Sequence, residues 1–100
     1  MNSEIGRYIK YSFIIPAYNA ERVIKRCVES IQKIQVRNLE IIVVNDGSVD
    51  NTKEYVQLLI KNDARIRLIN IDNGGVSNAR NIGVRNAVGK YILLVIVHIL

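Results

Sequence analysis

The sequence contains one cysteine, Cys27, and one proline, Pro16. A single cysteine excludes an internal disulfide framework. Cys27 falls among apolar positions at helical spacing, which reads as a reduced, buried thiol and fits an intracellular compartment. The opening stretch, Met1 to Tyr8, lacks a basic segment followed by an apolar core. It does not read as a secretion signal, and the expected location is the cytoplasm. No apolar run is long enough for a membrane-spanning helix. The longest, Tyr91 to Leu100, reaches about half of the roughly 20 residues required and reads as a buried strand. Repeats, low-complexity tracts and linkers are absent. No Gly-x-Gly-x-x-Gly follows the first apolar run, which argues against a dinucleotide-dependent dehydrogenase.

What remains is a 100-residue chain with 49% apolar side chains, enough for one domain over residues 1–100 and little more. The net charge of +5 would attract phosphates or anionic lipid. Its fourteen basic residues are spread along the whole chain rather than gathered, so most read as ordinary solvated surface and no nucleic-acid partner is expected.

Short runs rich in branched residues occur at Tyr11 to Pro16, Leu39 to Val44, Ile66 to Ile71 and Tyr91 to Val97. Such nearly continuous runs suit strands buried on both faces of a parallel sheet. Between them Ala20, Val23, Ile24, Cys27, Val28, Ile31 and Ile34 recur at three- and four-residue steps, the pattern of an amphipathic helix. Tyr55, Val56, Leu59 and Ile60 mark a second helix. Val76, Ala79, Gly83 and Ala87 give a third one a face of mostly small residues, which permits close approach. The order predicts an α/β fold, a Rossmann-like parallel sheet built as βαβαβαβ with right-handed crossovers. Ligands of such sheets bind beyond the carboxyl ends of the strands.

Three polar clusters lie where that rule directs attention. After the first strand comes Pro16-Ala17-Tyr18-Asn19-Ala20-Glu21. Proline ends the strand, Asn19 is placed to cap the next helix and Glu21 to sit in its first turn; Tyr18 either stacks on a base or simply packs. The second strand ends in Asn45-Asp46-Gly47-Ser48-Val49-Asp50-Asn51-Thr52, in which Ser48 or Asp50 suits an N-cap and Asn51 with Glu54 is spaced as a capping pair. Asp46 at the end of a buried strand loses hydration and requires donors. The imide N–H of uracil with nearby amides would serve, and so would the amides of its own turn. In the third cluster, Asp72 to Asn81, Asn73-Gly74-Gly75 supplies positive φ and Ser77 or Asn78 is a candidate cap. Arg80 lies about one turn into the helix, open to a base carbonyl, a ribose, a diphosphate or a plain surface ion pair.

Taken in order, Pro-Ala-Tyr-Asn-Ala-Glu, Val-Val-Asn-Asp-Gly-Ser-Val-Asp-Asn-Thr, Gly-Val-Ser-Asn-Ala-Arg-Asn and Gly-Lys-Tyr-Ile closely resemble the front half of family 2 glycosyltransferases, over about residues 11–93. The resemblance implies the nucleotide-binding half of a GT-A fold and transfer with inversion from a nucleotide sugar, most often a UDP-sugar, to a glycan or lipid-linked acceptor. It places Ala17, Tyr18, Asp46 and Arg80 around the nucleotide, with Glu21 near the rim. It also implies manganese or magnesium, and leaves room for peripheral association with the inner face of a membrane.

Two departures limit it. The family's Asp-x-Asp motif, which holds the metal, is replaced by Ile96, Val97 and His98, and a hard cation finds no carboxylate there. The aspartate or glutamate that serves as general base in the family's second half has no counterpart up to Leu100. The expectation is an incomplete glycosyltransferase domain without turnover of its own. The alternatives are a non-catalytic nucleotide-binding module, or an interaction fragment pairing through an exposed strand at Tyr91 to Val97.

Overall fold

The computed structural model describes residues 8–97. Each branched run becomes a strand and each periodic segment a helix: β1 (Tyr11–Ala17), α1 (Ile24–Gln32), β2 (Leu39–Asp46), α2 (Thr52–Asn62), β3 (Ile66–Ile71), α3 (Val76–Asn86) and β4 (Tyr91–Leu94). The strands form one sheet in the order β3-β2-β1-β4, every pairing parallel. Because β1 to β3 step outward and β4 returns to the other side of β1, the order reverses between β1 and β4. A cleft opens at such a reversal.

Alternation along the strands divides the core between the two faces. Phe13, Ile15 and Ala17 of β1 join Ile41 and Val43 of β2 beneath Ile24, Val28 and Ile31 of α1 and Val56 of α2. On the opposite face, Ile14, Ile42 and Val44 meet Ala79 of α3. Gly83 lets α3 settle there. A Cβ at that position would collide with the Ile14 side chain and lie 3.2 Å from Val44 Cγ2.

The α3 face also buries polar groups near the start of the strands. Glu40 is 4% exposed and accepts hydrogen bonds from Ser12 Oγ (2.6 Å), the Val88 N–H (2.8 Å) and Arg67 Nη1 (2.8 Å). Ser12 Oγ in turn accepts the Gly89 N–H at 2.8 Å. This network ties β1, β2 and β3 to the turn that begins β4. Nothing in the sequence patterning had singled out Ser12, Glu40 or Arg67.

Three expectations require correction. The run from Tyr91 is not a buried strand: Tyr91, Ile92, Leu93 and Leu94 are 38–50% exposed. The helices lie over β1, β2 and β3, which leaves β4 an uncovered edge. The strand also stops at Leu94 rather than Val97. Lys10 and Ile14 turn their carbonyls toward β4, accepting the N–H groups of Tyr91 and Val95. By the same alternation Pro16 is next to face that edge. It has no N–H to give, so the ladder ends.

Finally, the first helix starts at Ile24, not beside Asn19. Asn19 has φ +49, in the left-handed region rather than the extended one that an N-cap residue takes, and makes no cap. No N-cap side chain bonds to α2 or α3 either, where Asn51 and Gly75 occupy the N-cap positions. Ser48 and Glu21 are used between loops instead, while Asp50 does both: its Oδ1 accepts the N–H of Thr52, the first residue of α2, and its Oδ2 reaches the loop after β1.

Candidate functional site

The carboxyl ends of β1 and β2, together with the start of α3, enclose a cavity of about 240 Å³ lined by Pro16, Ala17, Tyr18, Asp46, Asn73, Gly75 and Val76. A second of about 280 Å³ shares Pro16 and Val76 and continues along Arg80 and Leu94 to Val97. Together they form a cleft at the reversal of strand order.

Asp46 closes β2, and its register opposite Ile71 turns its side chain toward α3. The residue is 4% exposed, so its carboxylate must be compensated. Oδ1 accepts the Gly74 N–H at 2.8 Å and Oδ2 the Gly75 N–H at 3.1 Å. The donors come from the loop after β3 rather than from the turn that follows Asp46. Asn73 completes the contact by donating from Nδ2 to the Asp46 carbonyl at 3.2 Å. Gly47, at φ +71, makes this approach feasible, since a Cβ there would lie 2.7 Å from the Asn73 nitrogen. The Asn-Gly-Gly turn was visible in the sequence. Its role as donor to Asp46 was not, because that depends on which loops the sheet order brings together.

Tyr18 is 50% exposed beside the cavity and Ala17 is buried in its wall. Arg80 projects from α3 into the second cavity. Four of the five residues selected from sequence thus share one cleft. Glu21 lines neither cavity. Its carboxylate accepts the Asn51 N–H at 2.9 Å and its own N–H donates to Asp50 Oδ2 at 3.2 Å, which places it between the two neighbouring loops. Each carboxylate oxygen of Asp46 has a second lone pair beyond the one engaged, so the group can still accept from a ligand.

Ile96 and Val97 line the second cavity with apolar side chains, and His98 lies outside the described residues. Among the described residues no group of three or more His, Cys, Asp or Glu side chains is arranged to hold a metal. The chemistry at Ile96 and Val97 does not fit a hard divalent cation. No helix of the described residues is long and apolar enough to cross a membrane. Cys27 is half-buried against the larger core cluster, and burial raises its thiol pKa above the ordinary value.

Known proteins resemble the chain over most of its length. The family model described as glycosyl transferase family 2 matches residues 12–95. The uncharacterized glycosyltransferase EpsJ of Bacillus subtilis (strain 168) is 46% identical over 81 residues, which cover 81% of this chain and 24% of that protein. The hyaluronan synthase of Pasteurella multocida is 43% identical over 91 residues, 91% of this chain and 9% of that protein. Among solved structures, S. aureus TarS 1–349 in complex with UDP superimposes with a TM-score of 0.82 at 28% identity, over 89% of this chain and 27% of that one. The chain thus spans about a quarter or less of each of these proteins. Its sheet is that of the GT-A glycosyltransferases, matched in their N-terminal part. By sequence and by fold, the chain belongs to glycosyl transferase family 2.

Proposed function

We propose that the cleft binds the nucleotide of a sugar donor, a UDP-sugar, and that the chain contributes the donor-binding part of an inverting transferase acting on a glycan or lipid-linked acceptor. The observation that carries this reading is the buried Asp46 carboxylate held by two loop amides at the wall of a cavity that also receives Tyr18. A uracil fits such a wall. Its imide N–H would donate to a free lone pair of Asp46, while the Tyr18 ring offers an aromatic face for stacking. The Arg80 guanidinium, in the adjoining cavity, would carry the charge of the diphosphate. The UDP bound in the structure of TarS supports the choice of base.

A hydroxyl nucleophile needs a base within hydrogen-bond reach, and a departing diphosphate needs its charge compensated. Among the described residues lining the cleft the one carboxylate is Asp46, already engaged by Gly74 and Gly75. We therefore assign the general base to parts of the enzyme beyond these residues and expect no turnover from the chain alone. Ile96 and Val97 supply no cation ligand, so nucleotide binding is expected to be independent of manganese. A cytoplasmic setting suits the unpaired Cys27 thiol. The match to glycosyltransferases across the whole sheet does not favour a bare interaction fragment.

Calorimetric titration with UDP, GDP and dTDP, with and without manganese, tests the assignment. Saturable UDP binding that is abolished by Asp46→Ala is expected; a folded chain that binds none of the three would refute it.

A further inference from the structure

The loop after β1 and the loop after β2 are fastened to one another by hydrogen bonds running in both directions. The Asn19 N–H donates to Ser48 Oγ at 2.9 Å, while the Val49 N–H donates to Asn19 Oδ1 at 2.9 Å. The Ala20 N–H donates to Thr52 Oγ1 at 2.8 Å, and the Glu21 N–H to Asp50 Oδ2 at 3.2 Å. The Asn51 N–H returns a bond to Glu21 Oε1 at 2.9 Å. Asp50 is itself braced, its Oδ1 accepting from both the N–H and the hydroxyl of Thr52. The clasp takes up the polar side chains that sequence patterning placed at helix caps.

Asn19 is its centre. It is the one non-glycine residue at positive φ among the described residues, and it both gives and receives a bond across the gap. Burial does not explain the second bond. Val49 is 87% exposed, and water could satisfy its N–H equally well. What the bond does fix is the backbone at the residue following Tyr18. The Tyr18 ring is half exposed, so little packing holds it, and its direction into the cavity depends on the main chain at its base.

We propose that Asn19 is a positioning residue: its left-handed backbone and its reciprocal bonds to Ser48 and Val49 hold Tyr18 against the nucleotide cavity before any ligand arrives. This rests on the reading of that cavity as a nucleotide site, for which Tyr18 is the stacking face. A ring already in place loses less conformational freedom on binding than one that must be ordered. Asparagine suits the task because it and aspartate tolerate the left-handed region and carry an acceptor oxygen two bonds from Cβ.

The test has two arms, both on the full chain. Without nucleotide, side-chain scalar couplings measured by NMR report whether Tyr18 keeps one χ1 rotamer. The expected result is a single rotamer in the wild type and in Asn19→Asp, and averaging in Asn19→Ala and Ser48→Ala while the dispersed spectrum of the folded sheet is retained. A Tyr18 rotamer unchanged in Asn19→Ala overturns the proposal, as does an averaged rotamer in the wild type. Asn19→Gly, which accepts the φ but lacks the acceptor, keeps the question open to measurement should the alanine variant fail to fold; it should average Tyr18 as well.

The second arm is a double-mutant cycle on UDP affinity. Tyr18→Ala should weaken binding on the order of tenfold, as expected for loss of one base-stacking contact. Asn19→Ala should weaken binding through the same contact and add less than about twofold in the Tyr18→Ala background. An equal loss from Asn19→Ala in both backgrounds would mean that Asn19 acts on the fold at large and not through Tyr18. If the wild type binds no UDP while Tyr18 still loses its rotamer in Asn19→Ala, the nucleotide reading fails and the positioning role stands.

Discussion

Replacing Glu40 by glutamine should cost far more at neutral pH than at acid pH. In the native network Glu40 Oε2 receives Ser12 Oγ and the Val88 N–H, and Oε1 receives Arg67 Nη1. Glutamine can keep one oxygen in place, but its NH2 must then face two donors or the guanidinium. Ser12 could accept from that NH2 through its second lone pair, but the Val88 N–H can only donate and would lose its acceptor. One buried N–H left without an acceptor costs about 1–3 kcal/mol, and a hydrogen bond to a charged group is worth about 1.5–3 kcal/mol. Because the Arg67 side chain is 41% exposed, water recovers part of its share, and the lower half of the summed range of about 2.5–6 kcal/mol, about 2.5–4 kcal/mol, is the expected loss. For a domain of this size that lowers Tm by roughly 10–30 °C. Burial alone would raise the pKa of Glu40, but the bonds from Ser12, Val88 and Arg67 outweigh it, and the folded-state value lies below the ordinary 4.5. The sign follows: the stabilisation is complete above the unfolded-state pKa and fades as pH falls through the lower folded-state one. Urea denaturation of wild type and Glu40→Gln at pH 7 and near pH 3 measures both effects. A gap under about 0.5 kcal/mol at pH 7, the range of an ordinary surface substitution, would refute the reasoning, and so would a gap that persists undiminished in acid.

The other predictions concern packing, ligand and thiol. Gly83→Ala gains about 1 kcal/mol of helix propensity but forces a methyl into Ile14 and Val44, which costs about 1–3 kcal/mol, so a net loss of up to about 2 kcal/mol is expected and a raised Tm would contradict it. Asp46→Asn removes one of the two acceptors for the Gly74 and Gly75 amides. Faster amide exchange at those glycines should accompany the loss of UDP affinity, and exchange equal to wild type would show that the loop does not depend on the carboxylate. Manganese should change the UDP dissociation constant by less than about twofold in the presence of Ile96 and Val97, whereas a tenfold tightening, about 1.4 kcal/mol, would reveal cation ligands outside the cleft described. Cys27, with its thiol pKa raised by burial, should react with a disulfide reagent at neutral pH more slowly than the same residue in urea; equal rates would mean that α1 does not shield it.

The sheet was legible because its signals are local. Branched runs of strand length and three- and four-residue periodicity depend on neighbours in sequence, and they gave every element within a few residues of its bounds. The failures share a cause. Asn19 and Ser48 have the chemistry of helix caps and Glu21 that of a first helical turn, and sequence alone weighs each against the helix that follows it. In the folded chain the first two strands run side by side in register, with Ala17 opposite Asn45, so the loops that leave them emerge together. Partners some 30 positions away then compete with the local amide, and they win. Asp46 follows the same logic: the turn beside it in sequence is a poorer source of donors than the glycine loop delivered by β3, its neighbour in the sheet. The strand at Tyr91 was misjudged for a related reason, because composition shows that a run is apolar without showing whether any helix will lie over it. Four of the five residues to which the family resemblance pointed still meet in one cleft, since ends of parallel strands converge whichever partners their side chains take. The bonds that shape that cleft belong to the order of the strands.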